Sequence, residues 1–131
     1  MIKALAFFVY VVKNIKTARC FYEETLGLKV AHQYQEEWFE YDLGEATFVI
    51  SKPDADHPAP VKGAVVAFEV DDLDAVVKKL KARKVKFQKE PFDTPVCRIA
   101  VVLDPSGNEV LLHQSKPPQP PAKTKKPGKK S

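Results

Sequence analysis

Few side chains in this sequence could do chemistry, and they are spread thinly. The 131 residues include three histidines and two cysteines. His113, in the run VLLHQ, carries an imidazole that changes charge near neutral pH and can bond through either ring nitrogen. Glu40, in WFEYD, could act as a general base, because burial would raise its pKa toward the working range. These two are the catalytic candidates, and neither is assigned a reaction by its neighbours in sequence. Cys20 and Cys97 stand in unlike contexts with no CxxC spacing, which suggests neither a zinc site nor a disulfide framework. Nothing near Cys97 in sequence would lower its thiol pKa, so it reads as a small buried side chain. His32 and His57 read as surface residues.

Charge must be apportioned before it is interpreted. The formal net charge is +4, yet residues 115–131 hold six lysines and no acid, so the preceding 114 residues carry 15 basic and 17 acidic groups. The body is mildly acidic and the basic pI belongs to a tail. That tail, SKPPQPPAKTKKPGKKS, has five of the eleven prolines and cannot bury enough apolar surface to offset its ordering entropy, so disorder is expected there. Its lysines could meet phosphates, but there is no aromatic residue for base stacking and no apolar anchor. No specific nucleic-acid partner and no membrane are therefore expected. The absence of a signal-like start or an 18-residue apolar run leads to an expectation of an unexported, cytoplasmic protein.

The elements that must position these residues follow from periodicity. Asp104-Pro105-Ser106-Gly107-Asn108 is a turn: Pro105 presets φ, Gly107 supplies a positive φ, and the Asp and Asn side chains can bond their own backbone. Apolar runs flank it, so strands are expected at 97–103 and 109–114. Residues 3–12 form a nearly continuous apolar run, expected as a central strand covered on both faces. A helix over 15–26 follows, capped by Asn14 and ended by Gly27. Further strands are expected at 28–34, 37–43, 46–52, 63–70 and 85–89, with a helix over 73–83. A shift of 58 residues lays Val12-Lys13-Asn14-Ile15 on Val70-Asp71-Asp72-Leu73, which is an internal βαβββ duplication. Two curved four-stranded sheets with helices outside can bury their concave faces only against each other or a ligand.

These residues resemble a known family. The segments VKNIKTARCFYEETLGLKV, AFEVDDLDAVVKKL and DPSGNEVLL look like the vicinal oxygen chelate superfamily, which includes glyoxalases, extradiol dioxygenases and bleomycin- and fosfomycin-resistance proteins. The resemblance covers residues 3–114. It implies an α+β domain of two βαβββ modules, about 1–52 and 63–114, around a cup, with 115–131 outside. It also implies metal ligands, His or Glu, at four positions that map here to Phe7, Val49, Val65 and Leu111. All four are apolar and offer a divalent cation no donor. The sequence thus resembles a metal-free branch in which the cup binds a ligand, with no cofactor.

Strand parity gives the expected lining. If Asp104 opposes Asn108, then Val101 opposes Leu111 and Ile99 opposes His113, placing Cys97, Glu109 and these four on the concave face. Leu5, Phe7 and Val9 join them, with Thr47, Val49, Ser51, Val65 and Ala67. A tight turn at Gly44-Glu45 pairs Glu40 with Val49 and Trp38 with Ser51, adding Trp38, Glu40 and Asp42. The expectation is a homodimeric, metal-independent protein that binds a small molecule, with sequestration of a toxic or planar compound as its role. Two alternatives stand beside it. One is a metal-dependent lyase, isomerase or dioxygenase with displaced ligands, for example Glu40, Glu109 and His113. The other is a degenerate domain kept for protein contacts.

Overall fold

The computed structural model describes residues 1–117, so the expectation of a disordered tail falls almost wholly outside it. The elements run β1 (Phe8–Val11), α1 (Ile15–Arg19), a π-helical turn (Cys20–Thr25), β2 (Val30–Tyr34), β3 (Trp38–Asp42), β4 (Thr47–Ser51), β5 (Val66–Glu69), α2 (Leu73–Ala82), β6 (Phe87–Asp93), β7 (Cys97–Leu103) and β8 (Glu109–Ser115). They form two four-stranded mixed sheets of like order, β1-β4-β3-β2 and β5-β8-β7-β6. The duplication read from the sequence is visible in matching bonds. Asn14 caps α1 by accepting from the Thr17 N–H, and Asp72 caps α2 by accepting from the Ala75 N–H. The N–H of Val12 bonds Ser51 and that of Val70 bonds His113, each closing a module's first strand onto its last.

Several boundaries differ from expectation, each for a local reason. β1 starts at Phe8, not residue 3, and it is an edge strand of its sheet. Its parallel partner β4 begins only at Thr47, after the turn in which Gly44 takes a φ of +92°, so residues 3–7 have no strand to pair with. Leu5, expected to face the cup, is 76% exposed. β5 is likewise confined to 66–69, because β8 begins at Glu109, just after the turn. The first helix spans the expected length but widens after Arg19, with the Leu26 N–H bonding the Phe21 carbonyl. β6 runs to Asp93 with two register irregularities; it is an edge strand, where Pro91 is tolerated. β8 extends to Ser115, and the N–H of Lys116 bonds Val96, so the tail begins later than expected.

One core joins the two modules, on the helix side of the sheets. Tyr10, Phe39, Tyr41, Phe48 and Ile50 from the first sheet pack with Ala18, Phe21 and Tyr22. Ala100, Val102, Val110 and Leu112 from the second pack with Leu73 and Leu80 in the same cluster. Phe48 and Phe68 meet edge to face across the junction at 5.3 Å between ring centroids. The Asp104–Asn108 turn locks this junction. Asp104 Oδ1 accepts from the N–H groups of Ser106 and Asn108, as the turn chemistry predicts. The turn also reaches the first module. The Tyr22 hydroxyl donates to Asp104 Oδ2 at 2.8 Å, the Lys13 N–H to Ser106 Oγ at 2.7 Å, and the Asn108 amide to the Val11 carbonyl at 3.0 Å. Asn108 Oδ1 accepts from the Val61 N–H at 2.7 Å. Tyr10 adds a further tie, donating to the Glu109 carbonyl and accepting from the Val66 N–H.

Candidate functional site

With one face of each sheet committed to the core, the opposite face is left for function. On the first sheet the register is as read from the sequence: Glu40 opposes Val49, Trp38 opposes Ser51 and Asp42 opposes Thr47. The Trp38 indole N–H donates to Glu40 Oε2 at 2.8 Å, which fixes both side chains on the wall. Phe7 meets Trp38 edge to face, with ring centroids 5.6 Å apart. Val49, between Val9 and Glu40 in the sheet, is fully buried, while Thr47 and Ser51 are half-buried. The strand carrying Glu40 is an inner strand, and the edge beside it is β2. β2 brings two more residues to this face, His32 opposite Glu40 and Tyr34 opposite Trp38, both exposed. A hollow of about 540 Å³ lies at this end, lined by Tyr34, Trp38, Ser51 and Pro53 together with the charged Glu37, Lys52 and Asp54.

On the second sheet Val101 opposes Leu111 and Ile99 opposes His113, again as read. Ile99, Leu111 and His113 are half-buried, Val101 and Cys97 buried, and Glu109 exposed. Cys97 Sγ lies 3.1 Å from Thr94 Oγ1. Arg98 turns away from this face to bond Asp93 and Asp74. One residue missed in the sequence completes the group. Glu69 stands opposite His113, and its Oε1 lies 2.6 Å from His113 Nδ1 while Oε2 accepts from the Ser115 N–H. These bonds, the Ser115 N–H first and the imidazole second, hold the Glu69 carboxyl below its ordinary pKa. With Nδ1 turned to the carboxylate, Nε2 is the ring atom left for a ligand. The alternation that placed Val65 and Ala67 on this face, carried one step further, would have found Glu69.

The four family metal positions do not fit a cation. Phe7, Val49, Val65 and Leu111 carry no oxygen, nitrogen or sulfur in their side chains. Phe7 and Val65 are 46% and 45% exposed, so the face is open where these two stand. Nor does the chain bring the displaced set together. Glu40 is bonded to Trp38, His113 to Glu69, and among the described residues no three His, Cys, Asp or Glu side chains gather closely enough to hold a metal ion.

Paired βαβββ units with an open face opposite their helices define a class of protein, and the sequence match agrees with the geometry. Residues 4–112 match the Glyoxalase/Bleomycin resistance protein/Dioxygenase superfamily, and the chain belongs to that family. A relative from Mycolicibacterium smegmatis, itself an uncharacterized protein, is 33% identical over 101 residues, covering 77% of this chain and 84% of its own. Among solved structures, TnmS3, an antibiotic binding protein from Streptomyces sp. CB03234, superposes with a TM-score of 0.73 at 26% identity, over 88% of this chain and 98% of its own. The fosfomycin resistance protein FosX from Mesorhizobium loti shares the fold at 16% identity, with a TM-score of 0.68 over 88% and 95% of the two chains.

Proposed function

We propose that this protein binds a small planar molecule on the face opposite its helices and sequesters it without a metal ion. The observation that carries this reading is the wall of β1, β3 and β4. The Phe7–Trp38 pair and the carboxylate anchored by Trp38 stand beside a hollow of about 540 Å³, within the size range of small-molecule sites. Aromatic faces supply stacking area at little entropic cost, and a fixed carboxylate supplies direction. The similarity to an antibiotic-binding protein supports binding over turnover. The charge of the wall narrows the ligand. Cup-facing positions of the strands carry Glu40, Asp42, Glu69 and Glu109 against one lysine, Lys89 opposite Val101, and the lysine that lines the hollow, Lys52, is paired with Glu37. A neutral or cationic aromatic compound therefore fits better than an anion.

The proposed working form is a homodimer in the cytoplasm. Exposed Phe7, Tyr34 and Val65 leave each wall uncovered within one chain, and a second copy would close the cup. Trp38 is the only tryptophan, so its fluorescence reports on the wall directly. Titration with a panel of planar neutral, cationic and anionic aromatics should quench or shift it for the first two groups. Trp38→Phe with a tyrosine readout, or calorimetry on Trp38→Ala, should show about tenfold or greater weakening. Absence of binding across the panel, one tightly held equivalent of a transition metal, or a monomer at high concentration would each overturn the corresponding part.

A further inference from the structure

A second cavity lies outside the cup. A cleft of about 540 Å³ opens between the π-helical turn, the residues after α2 and the Asp104–Asn108 turn. Phe21, Val85 and Leu103 line it with apolar surface, while Arg83, Lys84 and Lys86 supply three cations. Among the described residues none of these three makes an ion pair. The one carboxylate in the wall, Asp104, is buried with both oxygens engaged. Oδ1 accepts from the Ser106 and Asn108 N–H groups, and Oδ2 accepts from the Tyr22 hydroxyl and the Asn108 amide.

Lys84 occupies a backbone position that favours glycine. α2 ends in a Schellman turn, in which the Val85 N–H bonds the Leu80 carbonyl and the Lys84 N–H bonds that of Lys81. Lys84 takes a φ of +62°, a left-handed conformation that favours glycine and strains a lysine. In the duplicated module the helix ends at Gly27, with a φ of +82°. One half of the repeat thus keeps the unstrained residue, and the half that borders the cleft keeps a cation. The negative end of α2 accounts for Lys79 and Lys81 in its last turn. Arg83, the C-cap, shares that negative end, Lys84 and Lys86 lie past it, and all three line the cleft. The facing wall is built from Cys20, Phe21 and Thr25 of the π-helical turn, a rare conformation that gathers at functional sites.

We propose that this cleft is a second ligand site, taking a small organic anion whose phosphate or carboxylate head meets Arg83, Lys84 and Lys86. Its apolar body lies over Phe21, Val85 and Leu103. The site is opposite in charge to the cup and does not rest on the cup reading. The cleft shares the Asp104–Asn108 turn with the junction between modules, so occupancy also raises the unfolding temperature.

The test follows amide chemical shifts in the ¹⁵N-labelled full chain during titration with phenyl phosphate, benzoate, inorganic phosphate and benzyl alcohol. Phenyl phosphate should move the amides of 20–25, 83–86, 104, 106 and 107 and leave β3 and β4 unmoved. Stronger binding of phenyl phosphate than of benzoate assigns a phosphate head; the reverse assigns a carboxylate. Inorganic phosphate should bind the same amides more weakly, because it lacks the body. Lys84→Gly should weaken phenyl phosphate about three- to fivefold while leaving the unfolding temperature unchanged or higher. The combined Arg83→Gln, Lys84→Gln and Lys86→Gln variant should lose binding beyond measurement. Benzyl alcohol binding as tightly as phenyl phosphate, shifts confined to the cup, no saturable shift at millimolar probe, or unaltered binding by the triple variant would each overturn the proposal.

Discussion

Replacing Asn108 by alanine tests the junction most directly, because this one side chain serves both modules. Asn108 is fully buried. Its amide nitrogen donates to the Val11 carbonyl and to Asp104 Oδ2, each at 3.0 Å, and its oxygen accepts from the Val61 N–H at 2.7 Å. Alanine leaves the Val11 carbonyl and the Val61 N–H without partners, at about 1–3 kcal/mol each. A combined loss of roughly 3–4 kcal/mol is a large share of the ~5–15 kcal/mol that holds a domain together. At about 4 °C per kcal/mol for a chain of this size, the unfolding midpoint should fall by roughly 12–16 °C. Urea unfolding followed by far-ultraviolet circular dichroism gives the free energy, and Trp38 fluorescence follows the first sheet alone. Asn108→Asp sharpens the test. It keeps an acceptor for Val61 but sets a second carboxylate beside Asp104, and burial with that like charge raises the new group's folded pKa above its unfolded ~3.9. Its deficit should therefore be smallest below about pH 4 and grow as pH rises through the folded pKa. An Asn108→Ala protein within ~0.5 kcal/mol of the parent, a typical surface-substitution effect, would refute the account of the turn as the lock between modules.

Other perturbations probe the walls. Leu111→Glu places an acid on the half-buried face between Val101 and Ala67, and should cost about 1–3 kcal/mol at neutral pH. That cost should shrink toward pH 4, since the introduced group's folded pKa is raised; equal stability at all pH would mean the side chain reaches solvent. Glu69→Gln should remove a pH dependence of the opposite sign. The depressed Glu69 pKa contributes stability above its unfolded value, lost as pH falls through the folded one, so parent and variant midpoints should converge in acid. With Glu69 largely exposed, the gap at pH 7 should stay under about 1 kcal/mol, and a gap that widens in acid would contradict the assignment. Tyr22→Phe should cost about 1.5–3 kcal/mol by removing a hydroxyl donor to buried Asp104. A double-mutant cycle with Asn108→Ala should show non-additivity, because both side chains bond the same carboxylate oxygen.

The sequence by itself determined the features set by helix capping, turn chemistry and strand alternation in the segments that pair as expected. The helix cap at Asn14, the turn at Asp104–Asn108 and the pairings of Trp38, Glu40, Ile99 and Val101 were all legible, because period-two alternation and turn chemistry act over a few residues. The βαβββ repeat followed from the same signals, and the family from the resemblance of VKNIKTARCFYEETLGLKV, AFEVDDLDAVVKKL and DPSGNEVLL to its members. The apolar character of Phe7, Val49, Val65 and Leu111 is a property of composition and needs no coordinates. What only the tertiary structure decided depends on partners distant in sequence. Residues 3–7 read as strand but have none to pair with, since β4 starts only after the Gly44 turn. Glu40 lies on an inner strand because β2 folds outside β3, bringing His32 and Tyr34 to the same wall. Asn108 bonds Val11, 97 positions earlier, and His113 bonds Glu69, 44 positions earlier. Hydrogen bonds of such separation leave no periodic trace in the sequence, because the donor and acceptor are brought together only when the two sheets have packed.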